Sequence, residues 1–409
     1  MAAVNPGEVE IKTISLHTPK GTLNATELTL SFDVYESIFM PGIIAELIIR
    51  DDGSLANYLP LVGEEKVNLE FSTPGRGTAK YELIVVEMKD GETEKNLRTK
   101  NYVLRCTSPE VYSHKTSIIQ KSYNTNISSM INDICTKYLK TKKSVDIEDT
   151  KGIQPIIVPS MKPFEAIDML RRRSVSDNNK SSTYLFFENQ NGFNFKTIEK
   201  LFTDGDVGDR VFTNDHTPKT DYTQTGYRNV LSFNQPKQYD SASKLGGGGL
   251  NVQTKVLDFK DLSYKKTDNK NTDNSKFKNA DGKFSLTNSS EFNDEFSKTA
   301  GLHTMMPTDG SKPKTFIPDS TADQKSFVSQ LAQGALHLQV MGDSEITAGV
   351  LIQSNLTGPS TANQPGEDKL LSGKYLVASV RHIIGVEGRK PRYTCAIEAL
   401  KGGYKENPV

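Results

Sequence analysis

The chain has 409 residues, with 50 Lys+Arg against 50 Asp+Glu and a formal net charge of +0. That length exceeds one ordinary core, and the charge balance argues against both a nucleic-acid-coating protein and an acidic disordered one. The three cysteines, Cys106, Cys135 and Cys395, are odd in number and set in apolar patterns, which predicts buried thiols rather than bridges or a metal site.

The N-terminus, MAAVNPGEVEIK, lacks the basic and apolar regions of a signal peptide. No apolar run approaches the roughly 20 residues that span a bilayer, so stable membrane insertion is not expected. Residues 1–112 read as a first β-domain. Leu28, Leu30 and Phe32 alternate, as do Val67, Leu69 and Phe71. The runs IIAELII, KYELIVVEM and NYVLRC are apolar on both faces, which predicts strands covered on two sides. Between them Leu55, Tyr58 and Leu59 have helical spacing for a turn or two.

Residues 113–205 read as a small α+β domain. Ile127, Met130, Ile131, Ile134, Cys135 and Tyr138 mark an amphipathic helix that Asn126 or Thr125 can cap. A second helix starts near Pro163 and carries Phe164, Ile167, Met169 and Leu170. STYLFFE and FNFKTI then flank NQNG, a hairpin with Gly192 in the turn.

Residues 206–235 return to strand-like text. Residues 236–320 are polar and rich in Gly, Asn, Asp, Lys and Ser, which predicts an extended arm with little regular structure of its own. In residues 321–403 a helix over Ala322–Gln333, ended by Gly334, leads into a second β-domain, and residues 404–409 form a tail. Leu336, Leu338 and Val340 alternate with His337, Gln339 and Met341; Leu376, Ala378, Val380 and Ile384 share one face, and Tyr393, Cys395, Ile397 and Ala399 another. This period of two predicts a small closed or nearly closed antiparallel β-barrel. The fold class is therefore mainly β with α+β: two antiparallel β-barrel domains flank a small α+β domain, with a polar extended insertion.

Candidate chemistry is sparse. The GGGG tract at Gly246–Gly249 lacks the Lys-Ser/Thr of a phosphate loop and reads as a hinge. The segment from Asp268 to Asp281 lacks calcium-loop register. The six histidines, His17, His114, His216, His303, His337 and His382, form no zinc spacing; His337 and His382 could meet across neighbouring strands as a structural pair. There is no GxSxG elbow, and the acidic pairs Asp51-Asp52 and Glu64-Glu65 lie at turns, where solvation explains them. Arg171, Arg172 and Arg173 suit helix-dipole compensation, or alternatively a subunit salt bridge or phosphate contact. No catalytic, cofactor-binding or metal residue is assigned, and no cofactor is expected.

Three segments nevertheless carry a resemblance. YESIFMPGIIAELIIRDDGSLANYLPLVGEEKVNLEF resembles the first barrel of baseplate hub proteins from contractile-tailed, T-even-type bacteriophages. PSMKPFEAIDMLRRRS and STYLFFENQNGFNF resemble the family's middle domain, and GALHLQVMGDSEITAGVLIQ with GKYLVASVRHII its second barrel. The hub part of type VI secretion VgrG proteins shares this architecture. The polar stretch 236–320 is poorly matched.

The resemblance implies tail-tube-like barrels and a homotrimer whose paired barrels make a pseudo-sixfold ring. Such a ring would match a three-fold central spike protein to the six-fold tail tube or tube-initiator proteins, with baseplate wedge proteins as further candidate partners. It also implies a virion tail baseplate location after assembly in the host cytoplasm, and DNA passing through the lumen unread. Because the sequence continues only nine residues past Leu400, a separate spike protein is expected. The rival readings are a receptor- or carbohydrate-binding tail module, which the absence of tryptophan weighs against, and a cell-wall hydrolase, which would need a carboxylate pair in a cleft.

Overall fold

The computed structural model describes residues 5–51, 62–93, 100–178, 181–214, 226–236, 242, 246–247, 251–258, 262–270, 302–308, 324–325, 328, 331, 334–358, 366–385 and 391–401. The first stretch forms β1 (Glu10–Thr18), β2 (Gly21–Asn24), β3 (Thr29–Ser37), β4 (Ile44–Asp51), β5 (Lys66–Ser72), β6 (Thr78–Thr93) and β7 (Lys100–Thr107). They run antiparallel in the order β3-β4-β7-β6-β5-β1-β2. The alternation seen in sequence is the alternation of burial: Phe32 and Val34, Ala45, Leu47 and Ile49, and Val67, Leu69 and Phe71 all enter one core.

The second face of these strands differs from the expectation. Among the described residues Ile44 and Ile48 are only half-buried, and Val86 is 44% exposed. Two-sided apolarity is present in the text of β4 and β6, but this chain covers one side.

The middle of the chain comprises α1 (Pro109–Thr116), β8 (Ile119–Thr125), α2 (Ile127–Lys137), β9 (Val145–Ile147), β10 (Gln154–Met161), α3 (Pro163–Arg171), β11 (Tyr184–Asn189), β12 (Gly192–Thr197) and α4 (Ile198–Asp204). α2 buries Ile127, Met130, Ile131, Ile134 and Cys135, and Asn126 caps it by accepting from the Ser129 amide at 3.2 Å. These residues pack with Ala166, Ile167 and Leu170 of α3 and with Tyr184, Phe186, Phe193 and Phe195 of the β11–β12 hairpin. Gly192 follows a two-residue loop at φ +121°, and a Cβ there would lie 2.4 Å from the Ser144 carbonyl oxygen. Glycine is required by that approach. α1 and α4 have no counterpart in the sequence expectation; α1 carries a polar, weakly periodic text that hides it.

β13 (Val211–Thr213) and β14 (Val230–Asn234) follow. The polar stretch then departs from expectation: β15 (Asn251–Asp258), β16 (Tyr264–Lys270) and β17 (Leu302–Thr308) form a three-stranded sheet, antiparallel between β15 and β16 and parallel between β15 and β17. Composition predicted little structure because it measures apolar area. The ladder is made of backbone hydrogen bonds, and β-branched Val252, Thr254 and Val256 favour the extended form. Of the helix expected over Ala322–Gln333, the described residues Gln324, Lys325, Val328 and Leu331 are helical, with Leu331 buried. The turn around Leu55–Leu59 and half of the GGGG tract fall outside the described residues.

The last stretch is β18 (Ala335–Met341), β19 (Leu351–Asn355), the short pair β20 (Thr357–Gly358) and β21 (Gly366–Glu367), β22 (Gly373–Gly385) and β23 (Arg392–Leu400). Here β14, β18, β23 and β22 are neighbours, while β19 pairs β22 and accepts β13 in parallel. The two β-rich stretches are not separate sheets. β3 and β22 pair antiparallel over Ser31–Ser37 and Ser379–Gly385, so thirteen strands join in one sheet. Leu336, Leu338, Val340, Val380, Ile384, Tyr393 and Ile397 share a core with Phe32, Leu69 and Phe71. The protein is thus mainly β around a large antiparallel sheet.

Candidate functional site

The loop between β18 and β19 is where the parts of the chain meet. Its text, GDSEITAGV, looks like a surface turn, yet Asp343, Ser344, Thr347 and Ala348 are buried. A buried polar loop must find its partners inside the protein, and this one finds them on four other segments.

From the β5–β6 turn, Thr73 and Ser344 place their hydroxyl oxygens 2.9 Å apart, and Ser344 Oγ donates to the Gly77 carbonyl at 2.7 Å. Arg76 reaches Glu345 at 3.3 Å and Asp209 at 2.5 Å. Arg228, close to β14, bridges Asp343 and Asp209 at 2.9 Å each. Partial burial of the Asp209 carboxyl is outweighed by the Arg76 and Arg228 guanidiniums, which hold it down at about 2.

From β3, the buried Glu36 accepts from the Ala348 amide at 3.0 Å, from Tyr81 OH at 2.9 Å and from Thr347 Oγ1. Burial raises its carboxyl above the ordinary range despite these donors. From the middle hairpin, Asn189 Nδ2 donates to the Ala348 carbonyl at 2.9 Å. Gly349, at φ +90°, lets the Phe187 ring approach to where a Cβ would be only 2.9 Å away. The loop therefore ties both β-stretches, the segments carrying Asp209 and Arg228, and the middle hairpin into one arrangement. Its hydroxyls and carboxylates are spent on one another, which suits fixation rather than chemistry.

The other singled-out residues have ordinary surroundings. His337 and His382 do not meet. His337 lies opposite Glu398, with Nε2 3.8 Å from the carboxylate on the outer face. His382 lies opposite Cys395 on the core face, with Nδ1 2.7 Å from Tyr393 OH. The odd three-residue separation of Glu398 and Cys395 along β23 puts them on opposite sides of the sheet. The parity was readable: His382 is in step with Val380 and Ile384, His337 with Gln339. His17 sits among Ser15, Thr22 and Asn68, and His114 stacks on Phe164. His216 lies outside the described residues.

Burial pushes the Cys106, Cys135 and Cys395 thiols up to about 12, and all three are free. Glu65 corrects the solvated-turn reading of its acidic pair: it is buried and accepts from the Val62 and Gly63 amides at 2.8 and 3.1 Å. Arg171 and Arg172 both pair with Asp168, at 2.6 and 2.7 Å, so they are engaged within their own helix. Among the described residues no group of three or more His, Cys, Asp or Glu side chains is placed to hold a metal ion, and no helix is long and apolar enough to cross a membrane.

The outer face of β3, β22, β23, β18 and β14 forms a groove of about 630 Å³, with Tyr35, Met40, Phe233, Gln339, Arg381 and Glu398 among its walls. Arg381 is tied to Asp33 at 2.6 Å and lies over the Tyr35 ring; Ser379 Oγ donates to Glu398 at 2.9 Å. Its polar side chains are paired with one another, and apolar groups such as Met40 and Phe233 lie between them.

No family model matches the chain, and no curated protein matches it. Solved structures do. A tail protein from Neisseria meningitidis MC58 superposes over 95% of this chain and 96% of its own, at 8% identity and a TM-score of 0.57. The 43 kDa tail protein of prophage MuSo2 from Shewanella oneidensis superposes over 96% and 98%, at 10% identity and a TM-score of 0.57. An Escherichia coli type VI secretion component is more distant, at 9% identity and a TM-score of 0.49 over 98% of this chain and 79% of its own. Over nearly its whole length the chain has the fold of these two tail proteins.

Proposed function

We propose that this chain is the structural hub of a contractile tail baseplate. The observation that carries the reading is the end-to-end fold match to two tail proteins. The proposed layout takes residues 1–112 and 321–403 as paired β-units around a middle domain at 113–205, with 206–235 leading back to the second unit and 236–320 inserted. In this reading the protein is a homotrimer whose two β-units per chain form a pseudo-sixfold ring. The ring seats a three-fold central spike on one side and the tail tube or its initiator on the other, with baseplate wedges outside and a channel through which DNA passes unread. Three-fold rotation of a duplicated unit gives six quasi-equivalent positions, which a two-fold dimer cannot. The half-open second face of β4 and β6, where Ile44, Ile48 and Val86 lie beside Glu46 and Glu82, supports burial of those apolar groups against neighbours. The closed hydrogen bonding of the 342–349 loop supports a rigid, non-enzymatic component.

Light scattering on the chain alone and co-expressed with its spike tests the proposal. A particle of three times the 45.3 kDa chain mass, with three-fold projections in electron microscopy, is expected. A chain that stays monomeric in both preparations, or that lyses cell walls by itself, sinks it.

A further inference from the structure

Helix α3 has an unusual beginning. Its N-cap residue is Lys162, whose side chain carries no acceptor, whereas Ser, Thr, Asp or Asn would normally take up a first-turn amide there. Pro163 has no N–H to satisfy, and Lys162 itself donates its amide to Glu165 at 3.3 Å. The first amide in need of a partner is that of Phe164. It is met from another helix: His114 of α1 accepts it at Nδ1, at 3.2 Å. The same imidazole stacks on the Phe164 ring, with centroids 4.6 Å apart and planes 22° from parallel.

α1 is also the connector. It begins directly after β7 ends at Thr107, and β8 starts at Ile119, so the chain passes through it from the large sheet into the middle domain. The His114–Phe164 contact fastens this connector to the first turn of α3.

We propose that His114 is a pH-sensitive latch: its neutral imidazole caps α3 in trans and docks the connector, and protonation releases both. A protonated imidazole has two donors and no acceptor, so the bond from Phe164 cannot survive it. It would also put a positive charge at the positive end of the α3 dipole. The charged groups acting on the ring are Lys115 from its own helix and Lys162 and Glu165 from the start of α3, two cations against one anion. Burial first, then Lys115, with Lys162 adding, lowers the His114 pKa, and Glu165 opposes them. The folded state thus holds the proton less tightly than the unfolded one. The contribution is complete above the ordinary histidine pKa of about 6.5 and is lost as pH falls below it. The latch is independent of the hub reading, since it rests on contacts within one chain.

Hydrogen–deuterium exchange of the full chain from pH 8 to pH 4.5, corrected for the intrinsic pH dependence of exchange, tests it. Peptides covering residues 109–116 and 161–171 are expected to lose protection together on the acid side, while α2 keeps its own. His114→Gln, whose side-chain oxygen can accept the same amide, is expected to retain protection at pH 8 and to lose the acid step. Protection that stays flat in the wild-type chain, or a step that persists in H114Q, overturns the latch. If H114Q fails to fold, histidine-labelled wild-type protein is followed by NMR: exchange midpoints that coincide with the His114 titration support the latch, and midpoints that do not coincide overturn it.

Discussion

Tyr81 donates its hydroxyl to Glu36 at 2.9 Å, with both side chains buried. The same carboxylate takes the Ala348 amide and the Thr347 hydroxyl, so one acidic side chain on β3 holds a loop 311 positions further along the chain. Deleting it leaves three donors buried without a partner. Glu36→Ala is expected to cost about 3–5 kcal/mol, because each buried donor left without its acceptor costs about 1–3 kcal/mol. Tyr81→Phe removes one donor and should cost about 1 kcal/mol. Urea unfolding of both variants checks this. Equal, sub-kilocalorie effects would mean that Glu36 is not the anchor it is taken to be.

Much of the fold was legible because it repeats locally. The alternations in β18, β22 and β23, the i, i+3, i+4 rhythm from Ile127 to Tyr138, and the aromatic hairpin around Gly192 are each specified within about a dozen residues. What escaped was non-local. Nothing near Ser31 or Gly385 announces that β3 and β22 will pair. Asp343 and Ser344 read as a turn because their partners, Arg228 and Thr73, lie 115 and 271 positions away. The strands β15–β17 escaped for a different reason: their composition is that of a loop, and only the ladder makes them regular. The resemblance to tail hubs rests on such diffuse segments, whereas the fold match to two tail proteins extends over nearly the whole chain.

His382 gives the protein an acid limit. Burial lowers its pKa to about 4, and its Nδ1 is committed to Tyr393 OH at 2.7 Å. The unfolded chain binds that proton near pH 6.5, so stability is complete above that value and falls as pH drops towards 4. The loss should total about 3 kcal/mol between pH 7 and pH 4. Glu36 works in the opposite sense, since burial raises its carboxyl and the cost of its charge relaxes as pH falls. Comparing urea midpoints of wild type and His382→Leu at pH 7.5, 5.5 and 4 isolates the imidazole. The variant should be less stable at pH 7.5 and should have a flatter acid limb; parallel curves would assign the limb elsewhere.

Asp343 matters through Arg228. The guanidinium is nearly buried, donates to Asp343 at 2.9 Å, and is held on its other side by the half-exposed Asp209. Asp343→Ala leaves that nearly buried cation only the half-exposed Asp209 and should cost about 3 kcal/mol, whereas replacing both members by Asp343→Leu and Arg228→Met should recover a large part of it. Arg76, itself mostly buried, pairs closely with the half-exposed Asp209 and Glu345 and only at 3.8 Å with the buried Asp343, so Arg76→Ala should cost less than Asp343→Ala. Guanidinium chloride unfolding gives the ranking. A double variant no better than Asp343→Ala alone would show that the loop needs this ion pair for its shape.

Two glycines near the sheet's end separate close packing from backbone freedom. A Cβ at Gly342 would lie 2.0 Å from the ring of Tyr393, a fully buried side chain wedged edge-on against Phe71. At Gly385, the last residue of β22, nothing lies within 4 Å of the same atom. Neither glycine has positive φ, so added strain is not the difference between them. Gly342→Ala must move Tyr393 and with it the His382 contact, and an overpacked core typically loses about 1–3 kcal/mol. Gly385→Ala should be neutral or stabilising by up to about 1 kcal/mol, because alanine narrows the unfolded ensemble. Thermal unfolding of the two variants side by side decides the matter: equal shifts would mean that the Tyr393 wedge yields without cost, and that the junction it abuts is softer than its hydrogen bonds suggest.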